Sequence, residues 1–154
     1  MARRYSVHVT DETAATDLDE ALRRPPIRLW RRLVRLTQTK LKEVEDALAP
    51  LGLSATEFDL LAVVRAHEGA TQQELAQRLL FSEANMTYHA QRLCHRGLIR
   101  REPSGKTKRL SLTPAGQELI DRALPTVVEL HGRQFAAMNA DQLRQFDELL
   151  RLLR

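Results

Sequence analysis

CHRGLIRREPSGKTKRLSLTPAG, residues 94–116, is the stretch on which the fold of this chain turns. LIRRE (98–102) and KRLSL (108–112) alternate apolar and polar side chains with the period of a strand, and PSGKT (103–107) between them has the residues of a tight turn. The stretch therefore reads as a short β-hairpin between two helical segments. Its turn region gathers Lys106, Lys108 and Arg109, which concentrates positive charge on a projecting ribbon.

On both sides of the hairpin the helix starts are written in local signals. Ile27, Trp30, Val34, Leu41, Val44 and Leu48 recur along one helical face after the breaker RRPP, predicting an amphipathic helix over 26–49 that Pro50 and Gly52 end. Ser54 with Glu57, Thr71 with Glu74, and Asn139 with Gln142 each pair a capping oxygen with a carboxylate or amide in the first turn, marking three further starts. Ser82 caps a helix over 83–96 that Gly97 stops, and Thr113-Pro114 opens another with proline where a missing N–H costs nothing. Residues 1–24 show no sustained period and read as a disordered or loose arm, with a short helix at 16–23.

Two short helices in tandem, the second followed by a basic hairpin, describe a winged helix-turn-helix. The predicted fold class is mainly α with a little β, a two-stranded wing set between long N- and C-terminal helices. The helix over 83–96 has the dimensions for the major groove of duplex DNA, and the hairpin can reach phosphates or the neighbouring minor groove. Charge placement agrees with this. Residues 70–113 hold eight bases (Arg78, Arg92, Arg96, Arg100, Arg101, Lys106, Lys108, Arg109) against three acids (Glu74, Glu83, Glu102), while the rest of the chain sums to −1.

Helical geometry divides the roles within 83–96. Met86, Ala90 and Leu93 share one face and belong to the core. The opposite face carries Ala84, Asn85, Thr87, Tyr88, Gln91 and Arg92. Asn85 and Gln91 have the amide chemistry for adenine, Arg92 suits guanine or a phosphate, and Thr87 suits a thymine methyl. Glu83 lies in the first turn, where a carboxylate is favoured, and reads as structural. Lys106, Lys108 and Arg109 are expected on phosphates or in the minor groove. Arg100 and Arg101 enter the first strand, one toward DNA and the other paired inside with Glu102 or Asp59. Thr71 and Ser82 are caps first, with DNA contact through their backbone N–H groups second.

Other chemistries find little support. No glycine-rich phosphate loop, nucleophile elbow or HExxH occurs, so an enzyme is not expected, and neither a cofactor nor a metal is called for. No run of 18 apolar residues exists and MARRYSVHVTDETAATD lacks a signal peptide's apolar stretch, pointing to a cytoplasmic protein without a membrane partner. The single cysteine, Cys94, cannot form an internal disulfide. His95, Arg92 and Arg96 beside it favour the thiolate while the helix C-terminus opposes it, and an inert thiol is the preferred reading over a redox role.

LGLSATEFDLLAVV (51–64), QQELAQRLLFSEANMTYHAQRLCHRGLIRR (72–101) and LSLTPAG (110–116), taken in order, resemble the MarR-type winged-helix regulators. The resemblance covers roughly residues 27–154. It implies a homodimer whose first and last helices interlock, each subunit presenting one winged helix to half of a pseudo-palindromic operator in double-stranded DNA. It also implies a transcriptional repressor released by a small, commonly aromatic or anionic effector, or by oxidation. Two features depart from the family pattern: the wing stretch SGKTKR lacks the Asp-x-Arg motif, and the helix at 83 begins with Glu83, Ala84 and Asn85 rather than a Ser/Thr-rich turn.

The expected organisation is a flexible arm (1–24), an N-terminal dimerisation helix (25–50), the winged domain (51–116) and C-terminal dimerisation helices (117–154). Leu119, Ala123, Val127, Leu130, Phe135 and Met138, then Leu143, Phe146, Leu150 and Leu153, form apolar faces too extensive for one small domain to cover, so a second copy is expected over them. Pro125 is expected to kink or break its helix. An effector pocket is expected where the first long helix meets the winged domain, walled by Trp30, Arg31, Val34, Phe58, Asp59 and His131. The alternatives are a winged-helix interaction module without regulated DNA binding, and a redox-sensing repressor using Cys94.

Overall fold

The computed structural model describes residues 18–105 and 107–153. Residues 1–17 of the expected arm, and Lys106, lie outside the described residues. The chain divides into two compact units, Met1–Lys40 and Leu41–Arg154, so the boundary falls inside the first long helix. Residues 18–23 are helical.

Six further α-helices and one hairpin follow among the described residues: α1 (Pro25–Leu48), α2 (Ala55–Ala66), α3 (Gln72–Leu79), α4 (Glu83–His95), β1 (Ile99–Ser104), β2 (Thr107–Leu112), α5 (Pro114–Gln134) and α6 (Ala140–Arg151). A one-turn 3-10 helix, Ala49–Leu51, closes α1, and Gly52 turns the chain at φ 65°. The three capping boxes form as the local sequence requires, with Ser54, Thr71 and Asn139 accepting from the backbone of Glu57, Glu74 and Gln142. Ser82 and Thr113 cap α4 and α5 through their side-chain oxygens.

Leu48, Leu60, Leu61, Val64, Leu75, Met86, Leu93, Leu110 and Ile120 are all but inaccessible and form the centre of the 41–154 unit. Each buried aliphatic side chain of this size stabilises by roughly 1.5–3 kcal/mol. Met86, Ala90 and Leu93 are the inward face of α4, as their spacing requires.

Three expectations need correction. The strands run further than LIRRE and KRLSL: the ladder extends from Ile99↔Leu112 to Ser104↔Thr107, leaving a two-residue turn in place of PSGKT. Gly105 adopts φ 61°, the positive value that the first position of such a turn needs. Next, of the kink or break expected at Pro125, the break does not occur: α5 continues through the proline. The proline removes one N–H partner from the carbonyl of exposed Asp121, where water can substitute. Finally, Ala123, Val127 and Leu130 are buried and Leu119 half-buried within the chain's own core, so this face of α5 needs no second copy. The C-terminal part differs, because α6 buries none of its residues in this chain.

No single helix among the described residues is long and apolar enough to cross a membrane.

Candidate nucleic-acid interface

The polar face of α4 is open to solvent along its whole length: Ala84, Asn85, Thr87, Tyr88, Gln91 and Arg92 are all exposed, opposite the buried Met86, Ala90 and Leu93. The helix is held at its start by Ser82 Oγ, which accepts from Asn85 N at 3.2 Å. The tight turn before it places Leu80 in the left-handed region at φ 55°, with 92% of its surface exposed. From α3, Gln72 Nε2 donates to Thr87 Oγ1 at 3.1 Å, joining the two helices of the motif on the exposed side.

The wing closes one flank. Leu110 N donates to Ala70 O at 3.2 Å and Arg109 bridges to Thr71, so the base of β2 is tied to the start of α3. Gln72, Gln73 and Ala76 of α3, Glu83, Met86 and Thr87 of α4, and Thr107 and Lys108 of the wing surround an open hollow of about 270 Å³. The structure thus brings the expected Thr87 and Lys108 to one hollow, with Thr71 tied to the wing through Arg109. Lys108 is exposed on the wing. Arg109 instead turns its guanidinium back onto the Gly69 carbonyl and adds to the field that, after the Thr71 hydrogen bonds, holds the Glu74 carboxyl below its usual range.

Arg100 and Arg101 separate as the alternation dictates. Arg100 pairs with Glu102 at 2.9 Å and donates to the buried Ser111 Oγ at 2.9 Å. Arg101 is half-buried and donates through Nη2 to the Thr87 carbonyl at 3.3 Å, while its buried Nε has no hydrogen-bond partner among the described residues. Arg101 therefore braces the wing against α4. Asp59 takes neither arginine; the side chain whose field acts on it is His131.

Sequence reasoning assigned Glu57 only a cap, and the structure gives it a second role. Its carboxylate is almost fully buried, with Oε1 at 3.1 Å from Arg92 Nη2 and Oε2 at 3.2 Å from Arg96 Nη1, while Oε2 also accepts the Ser54 N–H at 3.1 Å. A carboxylate so buried is costly unless paired in this way. Arg92, expected to reach guanine or phosphate, is thereby held on the side of α4, where it donates to the Tyr88 hydroxyl at 3.4 Å and lies 5.9 Å from the Tyr88 ring centre. His89 forms a T-shaped pair with the same ring, the two ring centres 5.0 Å apart.

A second basic surface was also missed. Between Ala21 and Lys42 the sequence holds eight bases (Arg23, Arg24, Arg28, Arg31, Arg32, Arg35, Lys40, Lys42) and no acid. Arg28, Arg31, Arg32 and Arg35 share one exposed face of α1.

The expected pocket residues fall in different units. In the first, Trp30 and Arg31 are exposed and Val34 is half-buried. In the second, Phe58 is a core residue, 6% exposed, rather than a wall, and Asp59 lies in the field of His131. Burial, opposed by that field, pushes the Asp59 carboxyl above its ordinary range. His131 Nδ1 and Gln134 Oε1 are 2.9 Å apart, and Gln134 Nε2 donates to Glu43 at 2.8 Å, which extends a polar chain along α5 to Glu43.

Cys94 is half-buried, and burial pushes its thiol up against the opposing field of Arg101. The neighbours expected to promote the thiolate, Arg92 and Arg96, are turned toward Glu57 instead. No group of three metal-ligating side chains occurs among the described residues.

Comparison with known proteins gives this geometry a family. Residues 51–110 match the model of the MarR family. The HTH-type transcriptional repressor Rv2887 of Mycobacterium tuberculosis is 31% identical over 124 residues, covering 79% of this chain and 89% of the relative. The crystal structure of the MarR family protein Rv2887 in complex with DNA is similar with a TM-score of 0.66 at 30% identity, over 81% of this chain and 96% of that one. A mutant MarR from E. coli complexed with operator DNA reaches a TM-score of 0.78 at 24% identity, over 82% and 94% of the two chains. BpsR of Bordetella bronchiseptica, whose DNA binding is regulated by 6-hydroxynicotinic acid, reaches 0.76 at 19% identity, over 82% and 98%. At these identities the last two speak to the fold alone. The chain belongs to the MarR family of winged-helix transcriptional regulators.

Proposed function

We propose that the protein is a homodimeric repressor that binds a pseudo-palindromic operator in double-stranded DNA and is released by a small aromatic or anionic effector. The observation that carries the reading is the division of α4, whose apolar side is sealed in the core while Ala84, Asn85, Thr87, Tyr88 and Gln91 stand exposed on the other. A helix presented this way fits the major groove, with Asn85 and Gln91 matched to adenine and Thr87 to the thymine methyl. Ser82 and Thr71 offer helix N-termini to phosphates, and Lys106, Lys108 and Arg109 supply the wing's charge. Arg101 acts by bracing the wing. No catalytic step is assigned.

Dimerisation is supported by exposed apolar side chains at both ends of the chain. Ile27, Leu29, Trp30, Leu36 and Leu41 on α1 and Leu149, Leu150, Leu152 and Leu153 at the C-terminus lie open in the single chain. Phe135, Leu143, Phe146 and Leu150 border an apolar hollow of about 220 Å³ that a partner side chain would fill. For an aromatic or anionic effector, Trp30 and Arg31 have the matching chemistry within the first unit, and His131 has it within the second. Selection of bound duplexes from a random pool tests the reading. The expected outcome is a two-fold symmetric motif with half-site centres about one helical turn apart. Recovery of no motif, or sedimentation as a monomer at micromolar concentration, would overturn it.

A further inference from the structure

We propose that Glu57 is a positioning residue that keeps Arg92 and Arg96 off the phosphate backbone and so restrains binding to DNA of the wrong sequence; the proposal rests on the DNA-binding reading above. Glu57 belongs to α2, not to the groove-reading helix, and its side chain is 2% exposed. Arg92 and Arg96 stand one turn apart at the end of α4; Arg96 Nη1 donates to Oε2 of this carboxylate, and Arg92 Nη2 lies 3.1 Å from Oε1 as an ion pair without hydrogen-bond geometry. Their own side chains remain 52% and 34% exposed, so the carboxylate, not burial, is what holds them.

Without that charge the two guanidinium groups would repel each other and turn outward, where each is a strong phosphate ligand. Phosphate contacts add affinity for any sequence. They help random duplex most, because a loosely docked protein can shift to satisfy them, whereas base contacts fix its register on an operator. The same clamp acts on base reading. Arg92, fixed by Glu57, donates to the Tyr88 hydroxyl and lies beside its ring, which sets the direction of an exposed side chain on the reading face. Glu57 thus suppresses indiscriminate contacts and orients a selective one, at a distance from both.

Glu57→Gln separates this role from the cap. Glutamine at the third helical position preserves the capping hydrogen bonds while removing the charge. Wild type and variant are titrated over a salt series with the selected operator and with random duplex of equal length. The variant is expected to bind random duplex about five- to tenfold more tightly near 0.1 M salt, with a slope steeper by roughly one to two units. The operator-to-random ratio should fall at least about fivefold. An unchanged slope and ratio overturn the proposal. Should the variant fail to fold, Arg92→Gln with Arg96→Gln asks the same question from the other side. If Glu57 withholds both arginines, this double variant keeps the wild-type slope on random duplex; a slope flattened by one or two units overturns the proposal. A wild type without salt-dependent duplex binding would instead remove the DNA-binding reading itself.

Discussion

Gly116, in the first turn of α5, packs directly on the backbone of Leu98, so that a methyl group in place of its hydrogen would run into the Leu98 carbonyl oxygen. The same carbonyl accepts the Thr113 N–H at 3.1 Å, and Thr113 Oγ1 donates to the Gly97 carbonyl at 2.6 Å. The base of the wing and the start of α5 are therefore joined backbone to backbone. Gly116→Ala is expected to destabilise the fold by about 2–4 kcal/mol. The measurement is a urea titration, where the midpoint should fall at constant slope. A wild-type midpoint would mean that the two backbones part at little cost.

Base reading by α4 makes a separate prediction. Asn85→Ala and Gln91→Ala remove exposed amides without touching the core face. Each should cost roughly 1–3 kcal/mol on the operator and much less on random duplex. Filter or fluorescence titrations on both duplexes decide it: equal losses would assign these residues to the backbone.

For the wing, charge rather than shape is the variable. Replacing Lys106 and Lys108 by alanine should weaken binding to all duplexes alike and flatten the salt dependence by about 0.9 unit for each phosphate the wing no longer neutralises. If the slope stays put, the hairpin does not touch DNA.

Asp59 yields a pH dependence with a definite sign. Its carboxyl titrates above the ordinary 3.8, because burial outweighs the field of His131. The folded chain then holds this proton more tightly than the unfolded one. The contribution is most favourable below the unfolded value and declines as pH rises through the folded one. Asp59→Asn should raise the melting temperature at pH 7 and change it little near pH 3. The same increment at both pH values would show that charge is not responsible.

The half-buried thiol predicts inertness. With its pKa raised, Cys94 should react with iodoacetamide at neutral pH more slowly than a free cysteine. Cys94→Ser should leave operator affinity and its response to peroxide unchanged; a peroxide response that disappears in the variant would revive the redox reading.

What the amino-acid order determined by itself was local. Ser54, Thr71, Ser82, Thr113 and Asn139 cap the helices whose starts they mark, because a cap needs only residues within one turn. The inward face of α4 and the existence of the hairpin follow from periods of 3.6 and two. The basic block from Arg23 to Lys42 is equally legible, but a charge summed over the remainder of the chain hides it among acids elsewhere. Tertiary structure decided whatever joins distant residues. The strands lengthen to Ser104 and Thr107 because ladder pairing outweighs the turn preference of Pro103 and Ser104. Arg109 turns to a carbonyl 40 positions away, and Arg96 to Glu57 across 39. An arginine in a sequence carries the same charge whether it will face phosphate or a buried carboxylate. Only the packing of α2 against α4, set by the burial of Leu60, Leu61, Met86 and Leu93, brings Glu57 within reach and decides which it is.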